Sequence, residues 1–369
     1  MKIKVKTDVI RSAFQKVTPF FEESRATLMS KTVLLNVDIS KPKTVQILYN
    51  NLVQGVQTEF VADEIEGVGK ICVGLEMLKG VIEKARSNDV TILLDEKGNT
   101  VTVMDGRSNS HLGVFSSDDF MILQTLPKET KGFTIDGKKF KNLIDKVAFV
   151  ALDDMESNFT LTGVLLTIKD GNVELAATDR DRLVVGFCKD AGLDKSLECK
   201  VIIPKNTLLR LSKIISGDVR IAVTDQLITF DLDNFYMVSR LIPGSFVNYS
   251  EIIPKEYNIK LKAAKSELIA CIEVLKTFNN LMIMEIDKDD LVLKSRQVSY
   301  GHSIQYCKLT EQDNPKKEKL EVMINGALLE SLVGSSSNLE VTIRYISPIK
   351  PLVIEESDRI SMFMPIKIQ

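Results

Sequence analysis

Short stretches of alternating apolar and polar residues, each followed by a segment with apolar residues every three or four positions, set the grammar of this sequence. Ile3-Lys-Val-Lys-Thr-Asp-Val-Ile-Arg-Ser-Ala-Phe14 opens as an alternating strand, after which Val9, Ile10, Phe14 and Val17 are the apolar residues of an amphipathic helix. The pattern returns at Phe133-Thr-Ile-Asp-Gly-Lys-Lys-Phe-Lys-Asn-Leu-Ile144 and at Ile259-Lys-Leu-Lys-Ala-Ala-Lys-Ser-Glu-Leu-Ile269. The spacing, roughly 125 to 130 residues, is far longer than a solenoid period, so whole domains repeat.

A second strand, helix and strand follow within each copy. Ile71-Cys-Val-Gly-Leu-Glu-Met-Leu78 leads to Asp89-Val-Thr-Ile92, and Val201-Ile-Ile-Pro-Lys-Asn-Thr-Leu-Leu209 to Asp218-Val-Arg-Ile221. Val322-Met-Ile-Asn-Gly-Ala-Leu-Leu329 leads likewise to Leu339-Glu-Val-Thr-Ile343. Hairpin signals stand at Lys97-Gly98-Asn99, at Asp170-Gly171-Asn172 and from Asp287 to Asp290, each before an apolar run. Six helices among many short antiparallel strands predict an α+β fold of three repeated domains, 1–127, 128–255 and 256–369. The seams fall near Leu126 to Gly132 and Pro254 to Asn258, where Pro, Lys and Glu cluster.

With 369 residues, 44% hydrophobic and 27% charged, the chain is globular rather than disordered. No apolar stretch approaches the roughly 20 residues that span a bilayer, and the N-terminus alternates instead of forming a signal sequence, so a cytoplasmic protein is expected. Cys72, Cys188, Cys199, Cys271 and Cys307 are odd in number, contain no C-x-x-C pair and read as buried or half-buried free thiols.

A net charge of -2 argues against a nucleic-acid partner unless the charge is segregated, and it is. Helices predicted at 138–147 and 205–214 carry +3 each, those at 8–17 and 74–87 carry +1 each, 264–276 is neutral and 326–334 carries -1. The helices together hold +7 and the rest of the chain -9. Lys and Arg are good helix formers, which explains part of this. The polarity also suits helices that face a duplex through sequence-independent, salt-sensitive backbone contacts. Lys138, Lys141, Arg210 and Lys213 are the contacts expected on this ground.

Enzymatic chemistry finds little support. Gly67-Val-Gly-Lys-Ile71 lacks the G-x-x-x-x-G-K-[ST] of a phosphate loop. With only His111 and His302, no histidine-based metal site or triad is expected. Asp287, Asp289 and Asp290 lack the Gly and distal Glu of a calcium loop. Asp179 and Asp181 are flanked by Arg180 and Arg182 with no further catalytic group in view. Asn158-Phe-Thr160 and Asn248-Tyr-Ser250 read as chance sequons. No cofactor or metal is expected, and a repeat-built enzyme is the weaker alternative.

Leu161-Thr-Gly-Val-Leu-Leu-Thr-Ile-Lys-Asp-Gly-Asn-Val-Glu-Leu-Ala-Ala-Thr-Asp-Arg-Asp-Arg-Leu183 resembles the signature stretch of the bacterial DNA polymerase III beta subunit (sliding clamp) family. Phe246-Val-Asn-Tyr-Ser-Glu-Ile-Ile-Pro254, Met364-Pro-Ile-Lys367, Asp118-Asp119-Phe120 and Arg25-Ala-Thr-Leu28 extend the resemblance over the whole chain. It implies the DNA clamp fold, each domain packing two helices on antiparallel sheets, and a head-to-tail homodimer whose six domains form a ring around duplex DNA. It further implies a processivity factor loaded by a clamp loader and tethering a replicative polymerase through short Leu- and Phe-bearing peptides.

The same resemblance implies a peptide pocket between domains two and three, walled by Leu161, Thr178, Leu183, Val247, Ile252, Ile349, Pro351, Met362 and Met364, with Asn325 as a polar member. It adds Arg25 and Lys205 to the DNA contacts, and Leu112 is expected at the dimer interface. The sequence departs from the family pattern where Arg180-Asp181 replace Gly-His, Val247 a Pro and Glu251 an Arg. The two acidic rim residues imply a preference for peptides with basic flanks. They also leave open a clamp-like module that binds partners without encircling DNA.

Overall fold

The computed structural model describes residues 1–21, 29–95, 97–120, 126, 130–153, 158–189, 191–296 and 301–367. The first copy runs β1 (Lys2–Lys6), α1 (Thr7–Val17), β2 (Thr32–Val37), β3 (Thr44–Asn50), β4 (Gln54–Val61), β5 (Glu64–Glu66), β6 (Gly69–Gly74), α2 (Leu75–Lys84), β7 (Asp89–Leu94), β8 (Thr100–Asp105) and β9 (Ser108–Phe115). The second runs β10 (Gly132–Ile135), α3 (Gly137–Val147), β11 (Gly163–Lys169), β12 (Asn172–Thr178), β13 (Arg182–Cys188), β14 (Cys199–Pro204), α4 (Lys205–Ser212), β15 (Val219–Val223), β16 (Leu227–Leu232) and β17 (Phe235–Arg240). The third runs β18 (Ile259–Ala264), α5 (Lys265–Lys276), β19 (Leu281–Asp287), β20 (Asp290–Ser295), β21 (Ile304–Asp313), β22 (Glu321–Asn325), α6 (Gly326–Gly334), β23 (Glu340–Tyr345), β24 (Leu352–Glu355) and β25 (Arg359–Phe363). Apart from β5, the three copies share one element order, as the repeated pattern predicts.

Local chemistry accounts for these elements. In α1 the buried Ile10, Phe14 and Val17 recur at helical spacing, so one face reaches the core. Asn325 accepts a hydrogen bond from the Ala327 amide at 3.0 Å and caps α6. The hairpin between β11 and β12 turns through Asp170 and Gly171, both at positive φ (52° and 78°), the left-handed geometry an Asp-Gly pair adopts cheaply. Gly137, which opens α3, has no room for a side chain: a Cβ there would lie 1.9 Å from the Gly217 carbonyl oxygen.

By contact density the chain divides into two compact units, Met1–Lys138 with Arg210–Leu241, and Lys139–Leu209 with Ile242–Gln369. In the first unit the strands hydrogen-bond in the order β10-β15-β16-β17-β4-β3-β2-β6-β9-β8-β7-β1-β5. Phe20 and Phe235, with ring centroids 5.8 Å apart, stack in its core. In the second unit the order is β14-β11-β12-β13-β25-β24-β23-β18-β21-β20-β19-β22. Every strand pair in both units is antiparallel. Copy two contributes strands to both units because its β17 continues onto β4 of copy one while its β13 continues onto β25 of copy three. The five cysteines are free: Cys72, Cys271 and Cys307 are buried, Cys188 and Cys199 half-buried. Among the described residues, no helix is long and apolar enough to cross a membrane.

Candidate functional site

All ten residues expected to wall a peptide pocket lie in the second unit. Strand register brings two of them together. Leu183 pairs with Met362 and Met362 with Val353, which brings these side chains into one buried cluster with Leu165, Ala176, Val185, Ile202 and Ile242. Half-buried Phe246, Tyr249, Ile253 and Tyr257 pack against that cluster. Phe246 and Tyr249 belong to the Phe246–Pro254 motif, yet only the fold reveals that they pack against this cluster.

Four of the expected residues leave large apolar side chains in solvent: Val247 is 37% exposed, Ile252 46%, Ile349 65% and Met364 38%. Leu161 and Thr178 are buried, as is Pro351 beside the start of β24. Asn325 is half-buried, and its side-chain oxygen is spent on capping α6. Within the chain it is a structural residue.

The turn from Thr178 to Arg182 is locked by its own polar groups. Asp179 accepts from the Asp181 and Arg182 amides at 3.1 and 2.7 Å and from the Arg182 guanidinium at 2.9 and 2.7 Å. Arg182 donates onward to the Ser331 hydroxyl on α6 at 2.6 Å. The Met364 amide then bonds to the Asp181 carbonyl at 2.8 Å and the Ile366 amide to the Met323 carbonyl at 2.8 Å, so the end of the chain is stitched along the turn and β22. Arg180 occupies the left-handed region with φ 85° at the crest of this turn. Tyr249 donates to the Glu174 carboxylate, and burial together with that carboxylate pushes its phenol well above the ordinary value.

The helical cations separate into two classes. Lys138 and Lys213 are exposed. Lys141 is part-exposed and 3.4 Å from Asp145 on its own helix. Lys205 departs from the expectation: it is 9% exposed, and its ammonium donates to the Ala151 carbonyl and the Asp153 carboxylate, each at 2.7 Å. Those inward bonds make it a structural cation. Arg210 similarly donates to the Phe20 carbonyl at 3.2 Å and to Gln54 at 3.4 Å. Arg25 lies outside the described residues.

Leu112, expected at an interface, is 8% exposed: it turns inward opposite Val101 of β8. Its strand nonetheless offers an open edge. β9 pairs with β8 from Ser108 to Gly113 but with β6 only at Val114 and Phe115. β21 likewise pairs with β20 from Ile304 to Lys308 and with β18 only from Leu309 onward. Among the described residues, Ser108–Gly113 and Ile304–Lys308 therefore each lack a strand partner on one side. The two edges hold the places in the repeat that form joints between copies elsewhere in the chain. The fourth strand of copy one (β4) meets the last strand of copy two (β17), and the fourth strand of copy two (β13) meets the last strand of copy three (β25). The fourth strand of copy three is β21 and the last of copy one is β9.

The family described as "DNA polymerase III beta subunit, central domain" matches residues 134–248. The chain is 24% identical over 331 residues to the beta sliding clamp of Synechococcus elongatus, an alignment covering 85% of this chain and 86% of that protein. Its fold is similar to the crystal structure of the DNA polymerase sliding clamp of Bacillus subtilis (TM-score 0.91, 17% identity, 100% of both chains). It is also similar to the Helicobacter pylori beta clamp bound to a DNA ligase peptide (TM-score 0.87, 17% identity, 100% of both chains).

Proposed function

We propose that the chain is a member of the bacterial DNA polymerase III beta subunit family, the sliding clamps, and a non-catalytic processivity clamp of the cytoplasm. Two copies close head to tail into a ring of six domains, bounded within each chain at 1–127, 128–255 and 256–369. The ring encloses duplex DNA without reading its sequence and is opened by a clamp loader. The observation that carries this reading is the pair of leftover edges. Each internal joint between copies joins a fourth strand to a last strand, and β21 and β9 are the two that find no such partner within the described chain. A contact of β21 on the β9 of a second copy repeats the internal joint, and a heterologous contact repeated twice closes a ring.

The exposed apolar residues Val247, Ile252, Ile349 and Met364 over the Leu183 and Met362 floor form the groove for Leu- and Phe-bearing peptides of the polymerase and other partners. The flexible thioethers of Met362 and Met364 suit a groove that accepts several sequences. Asp181 and Glu251, both exposed, favour peptides with basic flanks.

The deciding experiment is retention. The loaded protein is expected to stay on circular DNA and to run off once that DNA is linearised, and equal loss from both forms would sink the ring. Tyr306, 58% exposed on β21, provides a companion test: Tyr306→Glu is expected to weaken dimerisation about tenfold or more in sedimentation without unfolding the chain. A second reading is favoured by the burial of Lys205 and the engagement of Arg210: a clamp-like module that holds partner peptides without enclosing DNA. Peptide binding with no topological retention would select it.

A further inference from the structure

Where β13 outruns its partner strand, the second unit encloses a polar hollow. β13 pairs with β25 only from Arg182 to Gly186, and beyond that the Phe187 amide donates to the Asp358 carbonyl in the β24–β25 turn at 2.8 Å. α3 lies close over the same stretch of β13: a Cβ on Gly186 would stand 2.7 Å from Val147 and 2.8 Å from Leu143. Between the helix, the end of β13 and the turn is a cavity of about 290 Å³. Lys139, Asn142 and Lys146 line it from α3, at a spacing that puts them on one helical face with Leu143. Lys189, Ser357 and Asp358 face them.

The chemistry of this lining is one-sided. Three ammoniums and one carboxylate leave a net charge of +2, and Asn142 and Ser357 add an amide and a hydroxyl. The Lys146 side chain is 7% exposed and donates to Asp358 at 2.7 Å, so the single carboxylate at hand already offsets its burial. Among the described residues, Lys189 has no ion-pair partner, and the side chains of Asn142 and Ser357 have no hydrogen-bond partner. A second cavity of about 440 Å³ adjoins the first, sharing Phe187 and Lys189. There Lys169 and Lys189 are matched by Asp170 and Glu174, so the two cavities have a cationic end and a neutral end. Thr167, Asn172 and Phe187 give the neutral end hydroxyl, amide and apolar surface.

We propose that the two cavities together bind a small phosphorylated molecule. Its phosphate monoester is held by the three lysines with Asn142 and Ser357, and its uncharged polar body lies beside Phe187. A phosphate monoester carries a charge of about −1.5 to −2 at neutral pH, which the +2 of the first cavity matches better than it does the single charge of a phosphodiester. Lysine binds phosphate as a point charge, and hydrogen bonds between charged groups are about twice as strong as neutral ones. Ligand pockets span roughly 300 to 1,000 Å³, a range that the joined cavities enter and that suits a molecule of sugar phosphate size. The site is separate from the apolar cluster of Leu183 and Met362, which lies at the start of β13, and it needs no second copy of the chain.

The test is titration calorimetry on the full-length chain at fixed ionic strength, with ribose 5-phosphate, inorganic phosphate, ribose and dimethyl phosphate as probes. Ribose 5-phosphate is expected to bind one site per chain with a Kd below about 1 mM, and inorganic phosphate to compete for it. Ribose and dimethyl phosphate should bind about tenfold more weakly or worse. Lys189→Glu should weaken ribose 5-phosphate about tenfold or more and Asn142→Asp several-fold, with urea midpoints unchanged because neither side chain holds the chain together. Lys316→Glu, which alters an exposed lysine outside both linings, should change binding less than about twofold. Absence of saturable binding, equal binding of dimethyl phosphate, unchanged binding by Lys189→Glu, or equal weakening by Lys316→Glu would each overturn the proposal. So would one-for-one displacement of ribose 5-phosphate by a short duplex, which would assign these cations to a nucleic-acid backbone.

Discussion

At Arg180 the backbone is held at φ 85°, a conformation that costs an L-residue roughly 1 to 2 kcal/mol and glycine almost nothing. The family pattern has Gly there, and this chain keeps the turn geometry while giving up the residue that suits it. Part of the relief from Arg180→Gly is offset by the greater freedom of glycine in the unfolded chain. A net stabilisation of about 0.5 to 1 kcal/mol is expected in urea unfolding. A larger cost sits nearby. Arg359 and Glu356 form an ion pair with side chains 0% and 3% exposed, and Arg359 also donates to the Ser335 hydroxyl at 2.6 Å and the Leu332 carbonyl at 3.0 Å. The pair ties the β24–β25 hairpin to the end of α6. Glu356→Gln leaves the guanidinium charge buried against neutral acceptors and is expected to cost about 3 to 5 kcal/mol in the same measurement. Lys205, Arg210 and Asn325 teach the complementary lesson. Their types and positions suggest ligand contacts, but each is spent on holding the chain together.

Among the elements, joins between helix ends and strands carry much of the polar chemistry. After α2 the chain turns back through Arg86 and Ser87, whose amides donate to the Asp105 carboxylate of β8 at 2.9 and 2.7 Å. The Ser87 hydroxyl first, then those two amides, hold the Asp105 carboxyl below the usual carboxylate range. Because the folded value is depressed, this contribution is fully present above about pH 4 and is lost as pH falls through the folded value. The urea midpoint of the wild-type chain is therefore expected to drop on acidification from about pH 6 to pH 3. Asp105→Asn should start lower at pH 6 and show a shallower drop. An identical pH slope in the two proteins would remove Asp105 from this role. The hairpins behave as their sequences require, with Asp170-Gly171 and Lys288-Asp289 each closing a tight turn between paired strands.

For the whole molecule, charge distribution bears on which ligands the chain can hold. The chain totals -2, yet its predicted helices sum to +7, and Lys138 and Lys213 remain exposed on or beside α3 and α4. If those cations face enclosed DNA, removing one lysine–phosphate interaction should reduce the dependence of retention on salt by about one counterion. The double variant Lys138→Glu with Lys213→Glu is expected to shorten retention on circular DNA and flatten its salt dependence while leaving peptide binding intact. Unchanged retention would place DNA binding elsewhere on the chain.

The threefold repeat, the six helices and the hairpin turns were legible in the sequence because each depends on periodicity or turn chemistry within a few neighbouring residues. The apolar identity of Leu183, Met362 and Met364 was legible too, through motifs whose order along the chain carries the resemblance. Burial was not. Whether a lysine on a positive helix faces solvent, as Lys138 does, or bonds inward, as Lys205 does, depends on a carbonyl and a carboxylate more than fifty residues away in sequence. Leu112 falls on a strand with an open edge, but alternation along the pleat turns its side chain inward, so backbone rather than side chain is what the edge presents. The hydrogen bond from the Cys271 thiol to the Tyr306 carbonyl also depends on how α5 lies over β21. Local pattern therefore determined which elements form and how often they recur, while long-range packing decided which of their side chains remain available to a partner.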